Sequence, residues 1–317
     1  MKESSKFNLQ MLNLWLGLCR GDTGLPSDIR SLGYRDKWIE FAFSTKNGDK
    51  VNPELIITSV KTGHTILFEW KHGDNTDSDQ LRRYSEVTSN DLNSKAAIPG
   101  NECKLHDVCL IGLSEHFERL QLGLTNSGLP FPLLVLTDEG IEKKLNSFVI
   151  SDLNQVFNPK LAFNPSLIPT QLVPFDRESE DWEIAEHIMP NIVIYMITGE
   201  PSFSLDQLAR DSMSIWNVVL APFYKGELRN RIKRIVNAAS DFEFRGYFQK
   251  DKKITHHIDS AVWKITYDAT KLPFDKRSQE SRKLKTLQTE FIHALQTGER
   301  KPHQANMDDY LNKIIDD

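Results

Sequence analysis

The chain has 317 residues, 39% hydrophobic and 26% charged, with a formal net charge of -5. That length sets a prior of about two domains, and no run approaches the roughly 18 apolar residues that span a bilayer. Three cysteines (Cys19, Cys103, Cys109) without a C-x-x-C spacing argue against a disulfide scaffold or zinc knuckle. With no hydrophobic leader after Met1-Lys2-Glu3, the expectation is a reducing, cytoplasmic location and no membrane.

Phe7 to Leu18 carries Leu9, Leu12, Trp15 and Leu16 at helical spacing, and the turn-rich stretch Gly21 to Pro26 ends that helix. A second helix is expected from Arg35 to Phe43, with Trp38, Phe41 and Ala42 on its apolar face. Two apolar runs, Leu55–Val60 and Thr65–Trp70, flank Lys61-Thr62-Gly63-His64 and read as a hairpin. A helix from Ser78 to Val87 follows. Strands at Asp107–Leu113 and Leu133–Thr137 come next, with a helical stretch Glu115–Leu120 between them. This order predicts a mixed α/β core over residues 1–157.

Residues 158–180, rich in Pro, Asn and Ser, read as a linker or wrapping arm. Residues 181–317 read as a basic, mainly helical domain. It has a helix from Trp182 to Met196, a short helix capped by Ser204, and a basic helix from Lys225 to Ala239. Strand-like pieces Phe242–Phe248 and Ile254–Thr266 then flank a lysine-rich turn, an order that fits a winged helix. Charge divides the same way. Positions 221–285 hold 16 Lys or Arg against 8 Asp or Glu, a net of +8 that leaves -13 for the rest. On the basic helix Lys225, Arg229, Lys233 and Arg234 recur at helical spacing, and Lys250, Lys252 and Lys253 sit on the turn. These are the expected phosphate contacts, although a solvated amphipathic helix has the same pattern.

The chemistry-bearing segment is Asn52-Pro53-Glu54-Leu55, followed by Phe68-Glu69-Trp70-Lys71. A turn centred on Thr62-Gly63 sets Ile56 opposite Glu69 and Glu54 opposite Lys71. Leu55, Ile57, Ile66, Phe68 and Trp70 then form one apolar face. Glu54, Glu69 and Lys71 emerge together on the other. Two carboxylates offer hard oxygen ligands to Mg²⁺, and an amine beside them can neutralise charge developing on a phosphoryl group. A structural ribbon with a Glu54–Lys71 ion pair would use the same residues.

Pro53-Glu54 and Glu69-Trp70-Lys71, fifteen positions apart, resemble the PD-(D/E)xK nuclease superfamily, which includes restriction, repair, transposition and defence nucleases. The resemblance covers about Arg35 to Asp138. It departs from the commonest pattern in having glutamate at position 54, where aspartate is usual. It implies a restriction-endonuclease-like mixed sheet flanked by helices, and an acidic residue on the helix before the hairpin, best matched by Glu40. The RecB-like branch carries Q-x-x-x-Y on the following helix, and Gln80-Leu81-Arg82-Arg83-Tyr84 fits it. An ordinary amphipathic helix would also carry that spacing. The implied activity is Mg²⁺-dependent phosphodiester hydrolysis, with Mn²⁺ able to substitute. In that reading Glu40, Glu54 and Glu69 hold metal, Lys71 acts on the attacking water, Gln80 and Tyr84 position substrate or lysine, and Arg83 meets phosphate. The implied partner is DNA, with RNA, a homodimer and a partner subunit left open. The alternative is a non-catalytic DNA-binding or assembly subunit on the same fold. His256-His257 reads as structural or DNA-facing, Cys103 and Cys109 as inert, and the chain has no P-loop motif.

Overall fold

The computed structural model describes residues 3–21, 24–73, 77–95, 103–251 and 261–300. The chain divides into two compact units. One holds Lys2–Val173 with Ile215–Lys225, and the other holds Pro174–Ser214 with Gly226–Asp317.

The first unit opens with helix α1 (Glu3–Arg20) and the short α2 (Asp28–Ser31). Its sheet has seven strands: β1 (Tyr34–Ile39), β4 (Leu55–Ser59), β5 (His64–Lys71), β6 (Leu105–Leu113), β7 (Leu133–Thr137), β8 (Gly140–Leu145) and β9 (Lys160–Ala162). They lie in that order. β5–β6 and β6–β7 are parallel and every other pair is antiparallel. A separate small ribbon, β2 (Phe43–Ser44) with β3 (Lys50–Val51), joins β1 to β4. The parallel crossovers carry α3 (Ser78–Ser85), α4 (Ser89–Ser94) and α5 (Phe117–Ser127), and α6 (Ser151–Val156) follows β8.

Both faces of the central hairpin are covered, not one. β4 is buried throughout and β5 from His64 to Trp70. On one face the Phe68 ring lies 4.2 Å from Trp15 of α1 and 5.4 Å from Trp70. On the other, Ile56 and Leu67 share a core with Leu81 and Tyr84 of α3, Leu92 of α4, and Leu120 and Leu124 of α5. Glu69 lies on this second face, which explains how an ionisable residue comes to be buried mid-sheet.

The helix expected over Arg35–Phe43 is a strand. Trp38, Phe41 and Ala42 fit a helical stripe, but β4 has an open edge whose backbone groups need partners. Tyr34–Ile39 supply them, with Tyr34 opposite Ser59 and Ile39 opposite Leu55. Non-local pairing overrides local spacing here. Glu40 therefore follows a strand, not a helix. The hairpin register also differs, with Ile57 opposite Ile66 and Leu55 opposite Phe68. The turn is wider than Thr62-Gly63 suggests, because the Gly63 N–H reaches back to the Ser59 carbonyl at 2.8 Å. A shift of two residues keeps each side chain on its face. It moves Glu54 away from Lys71, and the Glu54 N–H donates to the Phe68 carbonyl at 3.0 Å.

Part of the proline-rich stretch is sheet. Lys160–Ala162 forms the edge strand β9, and Val173 exchanges two hydrogen bonds with the buried Asn13 side chain, at 2.8 and 2.9 Å. At the hairpin's turn end, Tyr34 Oη and His64 Nδ1 share a hydrogen bond of 2.6 Å, and His64 Nε2 meets Asp107 Oδ2 at 2.9 Å. Asp107 also accepts the Val149 N–H at 3.0 Å. Burial and the Asp107 charge push the Tyr34 phenol up, which keeps it neutral.

Later in the chain, α7 (Asp181–Thr198) precedes β10 (Ser202–Ser204), α8 (Leu205–Ser212), α9 (Pro222–Asp241, in the second unit from Gly226 on), β11 (Phe248–Lys250), β12 (Val262–Ile265) and α10 (Phe274–Gln296). Ser204 caps α8 by accepting the Gln207 N–H at 3.1 Å. The three strands lie in the antiparallel order β10-β12-β11, and Phe203 stacks on Trp263 at 5.5 Å. The strand expected at Phe242–Phe248 starts only at Phe248. The preceding N–H groups are already taken by turns off α9, Phe244 to Ala239 and Tyr247 to Phe244. Of the expected strand Ile254–Thr266, Val262–Ile265 is strand, and residues 254–260 with His256 and His257 lie outside the described residues.

Candidate functional site

Four of the expected residues, Glu69, Lys71, Gln80 and Tyr84, converge at the end of β5. The polar loop after β5 ends at Asp77, whose carboxylate accepts the N–H groups of Asp79 (2.9 Å) and Gln80 (3.2 Å) and caps α3. That cap starts the helix one turn before Gln80 and fixes where its amide points. Gln80 Nε2 donates to Glu69 Oε1 at 2.8 Å, and Gln80 Oε1 accepts from Lys71 Nζ at 2.6 Å. Lys71 Nζ also donates to Glu69 Oε1 at 3.1 Å. One turn further on, Tyr84 Oη donates to Glu69 Oε2 at 2.9 Å. The four-residue spacing thus places both Q-x-x-x-Y side chains on the glutamate of the Glu-Trp-Lys segment.

Glu69 and Lys71 are 6% and 13% exposed at their side chains, so this ion pair is shielded from screening solvent. The buried Tyr84 phenol is pushed well up, first by burial, then by the Glu69 carboxylate it donates to, with the charges of Glu54 and Glu40 adding. Three carboxylates therefore act on one phenol, which stays neutral as a donor.

Glu40 has φ 53°, a left-handed conformation that costs a non-glycine residue about 1–2 kcal/mol. Its N–H donates to the Glu54 carbonyl at 3.0 Å, and its Oε2 accepts from Asn52 Nδ2 at 3.0 Å. The preceding residue is held on both sides. The Ile39 N–H donates to Val219 (2.8 Å), and the Ile39 carbonyl accepts from Ala221 (3.2 Å). Sequence reasoning missed Asn52 and the Val219–Ala221 segment. The Asn52-Pro53 dipeptide marks a turn, but nothing in the sequence pairs position 39 with position 220.

Glu54 and Glu69 provide hard oxygen atoms of the type Mg²⁺ prefers, and Glu40 lies beside Glu54. Among the described residues no three His, Cys, Asp or Glu side chains already converge as a ligand set. Mg²⁺ commonly takes one or two carboxylates, with water and phosphate oxygens completing the shell, so the donor chemistry fits. A cavity of about 380 Å³, lined by Lys143, Asn154, Gln155, Phe157, Asn158 and Pro159, contains none of these residues.

Arg83 is half-buried in the last turn of α3. Lys225 donates to Asn217 at 2.8 Å and lies over the Trp216 ring. Arg229 forks onto Asp206, with contacts of 2.6 and 2.7 Å from Nη2. Arg234 Nε is buried with no hydrogen-bond partner among the described residues. Burial and the charge of exposed Lys250 both push Lys233 down. Lys252 and Lys253 lie outside the described residues.

Residues 8–118 match the family model described as the MJECL32 domain. That span is roughly a third of the chain and includes Glu40 through Tyr84. No curated protein and no solved structure matches. No helix among the described residues is long and apolar enough to cross a membrane.

Proposed function

We propose that this protein is a metal-dependent nuclease of the PD-(D/E)xK type, hydrolysing phosphodiester bonds in DNA. The observation that carries this reading is the closed set of hydrogen bonds joining Lys71, Glu69, Gln80 and Tyr84 at the end of the hairpin that also bears Glu54. A bound Mg²⁺ would polarise the phosphoryl oxygen and lower the pKa of its water. Glu54 and Glu69 would hold it, with Glu40 assisting. Gln80 accepts from Lys71 and so aims the ammonium at the group attacked, where it offsets developing negative charge. Tyr84 anchors the far oxygen of Glu69. The mixed sheet, with parallel crossovers over this face, suits a restriction-endonuclease-like core. The second unit's order of helix, strand, two helices and two strands, with sheet order β10-β12-β11, suits a winged helix that holds the duplex through α9.

The test is cleavage of plasmid, linear and single-stranded substrates with Mg²⁺ or Mn²⁺. Glu69→Ala and Lys71→Ala should abolish cleavage while leaving circular dichroism unchanged. Undiminished cleavage by either variant overturns the assignment. A second reading is favoured by one specific observation. Both Glu69 oxygens and the Lys71 ammonium are already engaged with one another, Gln80 and Tyr84, as they would be in a non-catalytic DNA-binding or assembly subunit. That version shows no Mg²⁺ or Mn²⁺ binding dependent on Glu54 and Glu69 in calorimetry.

A further inference from the structure

We infer that Asn52 is a positioning residue for the divalent-cation site, acting by orienting the carboxylate of Glu40, whose backbone N–H is tied to the Glu54 carbonyl. This rests on the metal-dependent reading above and goes beyond it, since neither the motif nor the resemblance assigns a role to position 52. Three features converge on the same point. Glu40 stands in a left-handed conformation, φ 53°, at the end of β1. Such outliers persist only where neighbouring contacts hold them, and they gather at functional sites. The contacts that hold this one are specific. Its N–H is tied to the Glu54 carbonyl, its carboxylate to the Asn52 amide, and the preceding Ile39 is pinned between Val219 and Ala221.

Asn52 also leaves one atom in reserve. Its Nδ2 is used on Glu40, while its Oδ1 is buried and has no hydrogen-bond partner among the described residues. A buried amide oxygen with no donor is uncommon in folded proteins. An amide oxygen on the residue that bonds Glu40 can itself accept from cation-bound water. The residue thus sits where a hydrogen bond to a ligand sets the ligand's orientation. Loss of such outer partners typically weakens metal affinity ten- to a hundred-fold.

The test is Mn²⁺ titration calorimetry on the full chain, with native protein, Glu69→Ala, Asn52→Ala, Glu40→Ala and the Asn52→Ala/Glu40→Ala pair. Native protein should bind Mn²⁺, and Glu69→Ala should abolish that binding. Asn52→Ala should raise the Kd at least tenfold in the native background and leave it unchanged once Glu40 is alanine, because the amide acts through that carboxylate. Native-like affinity for Asn52→Ala overturns the inference alone. So does an equal loss in both backgrounds, which would make the effect independent of Glu40. No Mn²⁺ binding by native protein, or binding unaffected by Glu69→Ala, overturns the metal-dependent reading and this inference with it. Should Asn52→Ala lose its native circular dichroism, Asn52→Ser is measured by the same criteria.

Discussion

Tyr84→Phe removes a single oxygen from a packed site. The ring is 1% exposed and the Glu69 residue it bonds is 5% exposed, so neither group turns to water when the bond goes. A buried hydrogen bond to a charged group contributes about 1.5–3 kcal/mol, and the isosteric ring leaves no cavity. The expected loss at pH 7 is therefore about 2 kcal/mol. Alkaline pH adds a second signature. The phenol's folded pKa lies well above its ordinary value of 10.0, so the stability it contributes is intact below pH 10. Above that the unfolded chain releases the proton and the folded one does not. Native stability then falls by about 1.4 kcal/mol per pH unit relative to the phenylalanine variant. The gap between the two proteins should narrow as pH rises above 10. Urea titrations of both from pH 7 to 11.5 measure this, and the other tyrosines cancel in the difference. A loss below 0.5 kcal/mol at pH 7, or a gap that does not narrow above pH 10, refutes the buried Tyr84–Glu69 bond.

Gln80→Ala should leave the fold intact and cut cleavage by about ten- to a hundred-fold, since Lys71 and Glu69 then lose the amide that orients both; single-turnover assays read the effect. His64→Leu strands the Tyr34 hydroxyl and the buried Asp107 carboxylate, and should destabilise the first unit by about 3 kcal/mol in denaturant titrations. Lys233→Ala with Lys250→Ala should lower the slope of log affinity for duplex DNA against log salt by about two, measured by fluorescence anisotropy. Arg229→Ala should leave that slope unchanged, because its guanidinium is engaged with Asp206.

Local patterns were readable where local physics decides them. Apolar runs on either side of a glycine turn mark β4 and β5, helical spacing marks α1 and the basic helix α9, and Ser204 marks its cap. The placement of Gln80 and Tyr84 on one helix face followed from spacing alone. The hairpin register did not, because turn width depends on how Ser59 and Gly63 close, and two candidate registers keep the same faces. Strand β1 was misread as a helix because its six residues gain their hydrogen bonds from β4, sixteen or more positions away. β9 was hidden by the prolines around it.

What the sequence offers by itself is an inventory of candidates: Glu54, Glu69 and Lys71 on one face of a hairpin, with Gln80 and Tyr84 on the helix that follows. Which of them touch was decided only by the tertiary structure. The crossover from β5 into α3 brings Gln80 and Tyr84 onto Glu69, and the edge pairing of β1 with β4, together with the return of Val219–Ala221 to Ile39, sets Glu40 beside Glu54. These are contacts between segments far apart in the chain, fixed by shared burial and backbone pairing. No local spacing encodes them. The net charge of -5 likewise averages an acidic first part and a basic stretch at 221–285, and how those basic groups are engaged, Arg229 on Asp206 and Lys233 beside Lys250, came only from the folded chain.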